Sequence, residues 1–340
     1  MKRCVLILII FSLAIPLAFA FGSKDRGQNK ITIYTSMYQE VIDNVEKELK
    51  KQFPKYTIEF VYGGTGRLIH RVATERASGR LGCDILMVAE PAFSLELKGN
   101  GMLHSYLSKE AHNLAFEYDP EGYWYPVRVN NMVLAFNPEK NSRESLPSSF
   151  YDFANNTSVR GAISMRNPSI SGSSLATLIA LRDRYGYEYF NALIRQNINI
   201  EYGTAGGLSK LESGEYKVIM ILEESILQSR EKGSKLEVIY PTDGTIMIPS
   251  NIMIVNNQWS ANRNLKAAED VADWFLSEAG QNAIVSGWMH SVRIDFPRTP
   301  YDSIPTSEIR KNSMPVDWES SFRQKDEVVN RFDELLANRR

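Results

Sequence analysis

The sequence predicts an α/β protein of two lobes joined by extended segments. Strand-like and helix-like segments alternate along the first part of the chain, and a second such series begins after Asn137-Pro138. The length of 340 residues exceeds one small core and suits two domains of roughly 100–200 residues each. Hydrophobic residues at 43% and charged residues at 23% are typical of a globular chain, and they exclude a disordered or fibrous protein.

The N-terminal segment predicts export from the cytoplasm. Two basic residues precede an uncharged apolar run over residues 4–19, which closes on the small-x-small pattern Ala18-Phe19-Ala20. This order is typical of a signal peptide, so we predict a cleaved segment 1–20, a polar leader over 21–30 and a periplasmic location. A membrane anchor is the alternative, because the run is close to the roughly 20 residues that span a bilayer.

Charge and reactive side chains exclude several classes of function. A formal net charge of −1 leaves no basic excess, so we predict no nucleic-acid partner. The two cysteines, Cys4 and Cys83, cannot form a disulfide framework, and the apolar run around Cys83 predicts a buried, inert thiol. The four histidines are scattered without metal-ligand spacing. We therefore predict that the protein holds no cofactor.

The first lobe begins with a β-α-β-α-β series. The predicted strands are 31–35, 57–62 and 84–89, and the predicted helices are 40–53 and 66–77. This order favours a parallel or mixed sheet with helices on both faces. Ligands bind such sheets at the carboxyl ends of the strands, which here are followed by the loops 36–39, 63–66 and 90–93.

The second lobe and the tail continue the alternation. We predict strands over 162–165, 217–222 and 245–255, and helices over 175–185, 190–196, 265–276 and 316–336. Two extended segments, 128–137 and 245–255, are the predicted hinge strands between the lobes. They divide the chain into lobe 1, residues 31–127 plus 256–340, and lobe 2, residues 138–244.

Two loops that lead into predicted helices have the composition of anion sites. Gly63-Gly64-Thr65-Gly66 follows a strand, and the backbone N–H groups of such a turn can face an anion. The serine-rich stretch 167–174 offers hydroxyls together with helix-end amides. A plain turn and an ordinary serine cap are the alternatives. One such loop in each lobe fits an anion held in a cleft.

Glu223-Glu224 ends a predicted strand and starts a helix. Negative charge is favourable at any helix N-terminus, which is the ordinary explanation. A carboxylate at a strand end can also accept a hydrogen bond from a ligand hydroxyl or ammonium group, and we favour this role for Glu224. The sequence contains no G-x-S-x-G, P-loop or H-E-x-x-H motif, so we predict that the protein is not an enzyme.

Six stretches form a set whose order and spacing are specific. They are residues 31–36, 60–66, 122–138, 211–215, 238–245 and 268–281. In these stretches the chain resembles the periplasmic solute-binding proteins of ferric-iron-type ABC importers, over almost all of the chain that follows the signal peptide. The resemblance implies a two-lobe, type II-like periplasmic-binding-protein fold with a hinge and an interlobe ligand cleft. It also implies that the protein delivers its ligand to a membrane permease.

The ligand that the resemblance implies depends on the branch of the family. Iron-binding members carry two adjacent tyrosines after the strand equivalent to 217–222, where this chain has two glutamates and no tyrosine. The chain is instead similar to the branch that binds phosphorylated or phosphonate organic anions. That similarity implies ligand contacts from Ser36, Gly64, Thr65, Arg128, Asn130, Ser171, Gly172, Ser173 and Glu224. The alternative iron ligands are Tyr38 and Glu90, with His104 as a further donor.

We therefore predict the substrate-binding component of an ABC importer, which captures an anion of the hexose phosphate or aminoethylphosphonate class. Its predicted partners are this small anionic ligand and the membrane permease, and we predict a monomer. Ferric iron binding is the first alternative. A secreted enzyme that acts on a phosphate ester is the second.

Overall fold

The computed structural model describes residues 29–294 and 296–339, which form nine strands and thirteen α-helices. The strands are β1 (Lys30–Thr35), β2 (Thr57–Tyr62), β3 (Ile85–Val88), β4 (Tyr125–Phe136), β5 (Ile163–Arg166), β6 (Asn199–Glu201), β7 (Val218–Leu222), β8 (Glu237–Ile239) and β9 (Ile246–Ile254). The helices are α1 (Gln39–Gln52), α2 (Thr65–Ala77), α3 (Pro91–Gly99), α4 (Phe150–Asn155), α5 (Gly172–Tyr185), α6 (Glu188–Arg195), α7 (Thr204–Ser213), α8 (Glu223–Glu231), α9 (Leu265–Leu276), α10 (Glu278–Val285), α11 (Thr306–Lys311), α12 (Trp318–Phe322) and α13 (Lys325–Ala337). The predicted signal peptide and the leader through residue 28 lie outside the described residues, and Lys30 belongs to β1.

The strands form one mixed sheet in the order β2-β1-β3-β9-β4-β7-β5-β6, with β8 paired to β4. At one end β1 runs parallel to β2 and β3, and at the other end β5 runs parallel to β6 and β7. Between these halves lie β4 and β9, two long antiparallel strands that pair with each other and with the halves on either side. The two predicted extended crossing segments are therefore confirmed.

Each half of the sheet has its own apolar core. One core packs α1, α9 and α10 against β1, β3 and β9. Another packs α4, α5 and α6 against β5 and β7. Two smaller cores cover the opposite faces of the two halves, so each half buries both of its faces, as an α/β lobe requires. We call these halves lobe 1, which contains β1–β3, and lobe 2, which contains β5–β7.

The C-terminal helix α13 packs differently from the predicted division of the chain. Residues 256–340 were all expected in lobe 1, but Val328 and Phe332 are fully buried in the core of lobe 2. The ring of Phe332 lies edge-on to that of Phe190 in α6, with 5.5 Å between centroids. The two buried residues are four positions apart on one helix face, so they need an apolar surface, and α5 and α6 supply it. The other lobe boundaries stay a prediction.

The other differences are shifted helix ends and elements that were not predicted, namely β6, β8, α3, α4, α7, α10 and α11. The helix α5 begins at Gly172, three residues before the predicted start, because the Ser171 hydroxyl accepts a hydrogen bond from the backbone N–H of Ser174 and caps it. The predicted tail helix is divided into α12 and α13. Cys83 is buried, as predicted. Across residues 29–294 and 296–339, no helix combines the length and apolar composition needed to cross a membrane.

Candidate ligand-binding cleft

All nine residues predicted to contact an anion line one cleft between the lobes. They are Ser36, Gly64, Thr65, Arg128, Asn130, Ser171, Gly172, Ser173 and Glu224. The cleft has a cavity volume of about 70 Å³ and lies at the carboxyl ends of β1, β2, β5 and β7. This is the position at which α/β sheets present loops and helix N-termini. The residues are brought together by the fold, whereas their role as ligand contacts stays a prediction.

The N-termini of α2 and α5 approach each other from opposite lobes at this cleft. Gly64 caps α2 without a side-chain acceptor, so the first amides of that helix are left for water or a ligand. A Cβ atom on Gly172 would lie 2.5 Å from Thr65 Cγ2 and 2.9 Å from the carbonyl oxygen of Ala89. Only glycine permits this approach. Two helix N-termini aimed at one space favour negative charge there.

Arg128 brings a buried positive charge to the floor of the cleft. This residue of β4 is 1% exposed, and its Nη2 donates to the hydroxyl of Ser36 at 3.0 Å while Nη1 contacts the sulfur of Met289 at 3.0 Å. Its Nε has no hydrogen-bond partner among the described residues. Burial lowers the pKa of Arg128, and the nearby Glu224 carboxylate opposes that shift. The guanidinium stays protonated, because arginine does not lose its proton in proteins.

Glu224 is the acidic group of the cleft. It is 2% exposed, and its Oε1 accepts a hydrogen bond from Asn130 Nδ2 at 2.5 Å. Burial raises the pKa of Glu224 to about 7, although the charge of Arg128 and the bond from Asn130 act in the opposite direction. Near neutral pH this carboxyl group can therefore either accept or donate a hydrogen bond.

Tyr38 lies in the cleft, but the other predicted iron donors do not accompany it. The Tyr38 hydroxyl is 3.2 Å from Ser225 Oγ, and burial together with the Glu224 charge raises the pKa of Tyr38 to about 12. Glu90 is absent from the lining, and its Oε1 lies 3.6 Å from Lys325 Nζ. His104 is 2.9 Å from Glu269 instead. In the described part of the chain, no three His, Cys, Asp or Glu residues converge as metal ligands.

Arg166 is a lining residue that the sequence analysis missed. It is the last residue of β5, one residue beyond the predicted end of that strand. Its buried Nε has no hydrogen-bond partner within the described ranges. A cation that ends an apolar strand and precedes Asn167-Pro168 is the signal that could have identified it. The cleft thus contains two guanidinium groups and one carboxyl group, so its side-chain charge is positive. Four further lining residues were also missed, namely Tyr62, Ala89, Ile170 and Leu222.

The neighbouring Glu223 serves the hinge rather than the cleft. Its carboxylate accepts four hydrogen bonds, from Asn131, His290, Tyr240 and Ser303, at distances of 2.5–2.9 Å. Burial raises the pKa of Glu223, but these bonds, led by that from His290, leave it below its ordinary value. Two consecutive glutamates thus bond to two consecutive asparagines of β4: Glu224 to Asn130 and Glu223 to Asn131. Successive residues of a strand point to opposite faces, so the two pairs lie on opposite sides of the hinge strand.

Comparisons with known proteins agree with this architecture. The sequence profile of the bacterial extracellular solute-binding proteins matches residues 83–321, more than two thirds of the chain. Fructose-6-phosphate-bound AfuA from Actinobacillus pleuropneumoniae has 18% identity and a TM-score of 0.77, covering 91% of this chain and 99% of its own. Iron-bound HitA from Pseudomonas aeruginosa has 19% identity and a TM-score of 0.77, covering 90% and 99%. The periplasmic binding protein P5PA has 20% identity and a TM-score of 0.72, covering 92% and 100%.

These similar structures show the two-lobe periplasmic-binding-protein fold that the sequence predicts. No curated protein matches the chain significantly in sequence. The match of the family profile spans β4, β9 and all of lobe 2 except α13, and thus most of the cleft described above. The chain belongs to the family of bacterial extracellular solute-binding proteins.

Proposed function

We propose that this protein is the periplasmic substrate-binding component of an ABC importer and that it captures a small phosphorylated or phosphonate organic anion. One observation carries the proposal. Two helix N-termini from opposite lobes and two arginines with unpartnered Nε atoms converge on one small cleft. The predicted signal peptide, which lies outside the described residues, supports the periplasmic location.

The binding mechanism follows from the number of donors. An anionic head group accepts hydrogen bonds from the amides at the start of α2 and α5 and from the two guanidinium groups. The hydroxyls of Ser36, Thr65 and Ser173 also donate to it. Glu224 accepts a hydrogen bond from a hydroxyl or ammonium group of the same ligand. Since these groups belong to both lobes, the closed form contacts the ligand more completely than an open form does. Binding therefore shifts the equilibrium toward closure, and no reaction is catalysed.

Ferric iron is the second candidate, favoured by Tyr38 in the cleft and by the likeness to iron-bound HitA. Ferric iron is held best by several anionic oxygen donors. Here Glu224 is the only carboxyl group that lines the cleft among the described residues; the phenols of Tyr38 and Tyr62 accompany it, and two arginines stand beside them. The likeness to AfuA, whose structure contains fructose 6-phosphate, supports the anion instead.

Native mass spectrometry of protein purified from cells without refolding distinguishes the candidates. We expect an added mass equal to an organic phosphate or phosphonate. An added mass of one iron, with or without a small anion, would overturn the proposed ligand class. Steady turnover of an added phosphate ester would show that the protein is an enzyme.

A double variant tests whether the loop before α2 and the loop before α5 both contact the ligand. The double variant Ser173→Ala with Thr65→Ala removes one hydroxyl from each lobe, and hydrogen bonds to charged groups contribute about 1.5–3 kcal/mol each. Calorimetric affinity for the identified anion should fall at least about 100-fold. Ser169→Ala is the matched control, because Ser169 is exposed on the same loop and bonds to Asp333 outside the cleft. Unchanged affinity in the double variant would contradict the two-loop assignment.

A further inference from the structure

We infer that the ligand carries an apolar or planar organic substituent, which leaves the cleft between Tyr62 and Ile170 and packs on their side chains. This inference rests on the proposed function, since it describes the part of the anion that the head-group contacts do not hold. It makes Tyr62 and Ile170 residues that determine specificity.

The enclosed part of the cleft is small. One water molecule needs roughly 10–15 Å³ of such cavity volume. The 70 Å³ of the cleft therefore accommodate about five to seven groups of that size. A phosphate or phosphonate group has five heavy atoms, so the head group fills most of the enclosed space. Any larger organic part of the ligand must extend past the rim.

Five polar residues of the cleft lie in its interior. Arg128, Asn130 and Glu224 are at most 2% exposed, and Ser171 and Ser173 are also buried. A head group held by Arg128, Ser171 and Ser173 has its charged oxygens turned inward, and Glu224 accepts a hydrogen bond from a hydroxyl or ammonium group next to the head group. The remaining substituent of the head group is then directed to the exposed side of the cleft.

The rim on that side is apolar. Tyr62, the last residue of β2, is 50% exposed, and Ile170, in the loop before α5, is 39% exposed. Both line the cleft, one from each lobe. Their segments are adjacent, because a Cβ atom on Gly66, just after the start of α2, would lie 3.2 Å from the carbonyl oxygen of Ile170. The two side chains therefore flank the same opening.

Tyr62 is also free to contact a ligand. Its hydroxyl makes no hydrogen bond and its ring makes no aromatic pair with any other residue that the structure describes. Among the residues that the structure describes, only seven large apolar side chains are exposed, and two of them, Tyr62 and Ile170, border this cleft. An aromatic ring buries a large apolar area at little conformational cost, so a planar substituent packed on Tyr62 would add affinity.

The test compares phenylphosphonate with methylphosphonate, which share the head group and differ in the substituent. Calorimetric titration of the wild-type protein should give phenylphosphonate an affinity about tenfold higher. In Tyr62→Ala the ratio of the two affinities should fall to about two or less. Tyr62→Phe keeps the ring and should restore the ratio. Ile170→Ala should lower the ratio partially. Tyr202→Ala, at a tyrosine that is 74% exposed and does not line the cleft, is the matched control.

The outcomes separate the two proposals. Equal wild-type affinities for the two phosphonates, or an equal loss of both affinities in Tyr62→Ala, would overturn the role of the rim while leaving the anion cleft in place. If neither phosphonate binds the wild-type protein, and the anion found by mass spectrometry does not bind it either, the proposed function and this inference are both overturned. Circular dichroism of each variant verifies folding, which an exposed strand-end residue should not disturb.

Discussion

Arg128 lies on β4 and Arg166 on β5, and the two side chains differ in how many hydrogen bonds they make to the protein. Arg128 is fixed by Ser36 and Met289, whereas no hydrogen bond or ion pair to a described residue restrains the side chain of Arg166. Arg166 is therefore the side chain that has most to gain from a ligand. Its planar guanidinium suits two oxygens of one phosphate or phosphonate group.

The first prediction concerns Arg166. Arg166→Ala should lower affinity for the anion about 10- to 100-fold, the range of one hydrogen-bonded charged contact. Arg166→Lys should recover only part of that loss, because lysine keeps the charge without the planar fork. Calorimetry measures the affinities, and thermal unfolding without ligand should be nearly unchanged. Wild-type affinity in Arg166→Ala would contradict a direct contact.

The second prediction is that Glu224 makes the free energy of unfolding depend on pH. Burial raises its pKa from the ordinary 4.5 to about 7, so folding favours the protonated form. This contribution is complete below pH 4.5 and is lost as the pH rises to about 7, which lowers the free energy of unfolding by roughly 3 kcal/mol. Urea unfolding of ligand-free protein between pH 4.5 and 7.5 should show this decrease, and Glu224→Gln should remove it. Parallel pH profiles for the two proteins would contradict the shift.

At the scale of elements, the contact between α2 and α5 makes the cleft. Both helices follow parallel strands and present free amides, and their N-termini meet because Gly172 has no side chain. The anion site is thus a property of two helices from different lobes and not of either loop alone.

The third prediction follows from this contact. Gly172→Ala places a methyl group against Thr65 and the backbone of Ala89, so the two helices cannot approach. Overpacking of this kind costs about 1–3 kcal/mol, which should lower affinity about 5- to 150-fold while lobe stability is kept. Gly203→Ala is the matched control, since Gly203 also precedes a helix and a Cβ atom there meets no described atom within 4 Å. Equal affinities of the two variants would contradict the argument.

On the scale of the whole molecule, the lobes touch through side chains as well as backbone. Tyr38 meets Ser225, Lys232 Nζ lies 2.7 Å from Glu40 Oε1, and Lys325 Nζ lies 3.6 Å from Glu90 Oε1. The Lys232–Glu40 pair is exposed and contributes only about 0–1 kcal/mol, and the cost of burying the Glu90 carboxylate offsets its attraction to Lys325. They are too weak to hold the lobes together alone, so the ligand should supply much of the energy of closure.

The fourth prediction is therefore a change of shape. Adding the anion at saturating concentration should decrease the radius of gyration of the wild-type protein in small-angle X-ray scattering. Gly172→Ala should contract less at the same occupancy, because its methyl group keeps the helices apart. An identical radius with and without ligand in the wild-type protein would contradict ligand-driven closure.

The elements that the sequence predicted correctly are those that local patterns determine. Residues 265–276 form a helix with the predicted bounds, because the apolar spacing lies within the segment and the Asn264 cap directly precedes it. The two crossing strands are recognisable as long, mostly apolar segments, and β4 is buried at all twelve positions although it contains Arg128, Asn130 and Asn131. The helix α3 was missed, since its apolar residues follow a strand directly and show little helical periodicity.

The sequence by itself determined the two α/β series, the crossing strands and the segments that carry the nine cleft residues, because hydrophobic period and turn composition are local. Only the tertiary structure decided that α13 packs on lobe 2, that Glu90 and His104 lie away from Tyr38, and that Arg166, Tyr62 and Ile170 border the cleft. These facts depend on which surfaces meet across more than a hundred residues of chain. Such pairings are set by shape and burial, which no local pattern encodes.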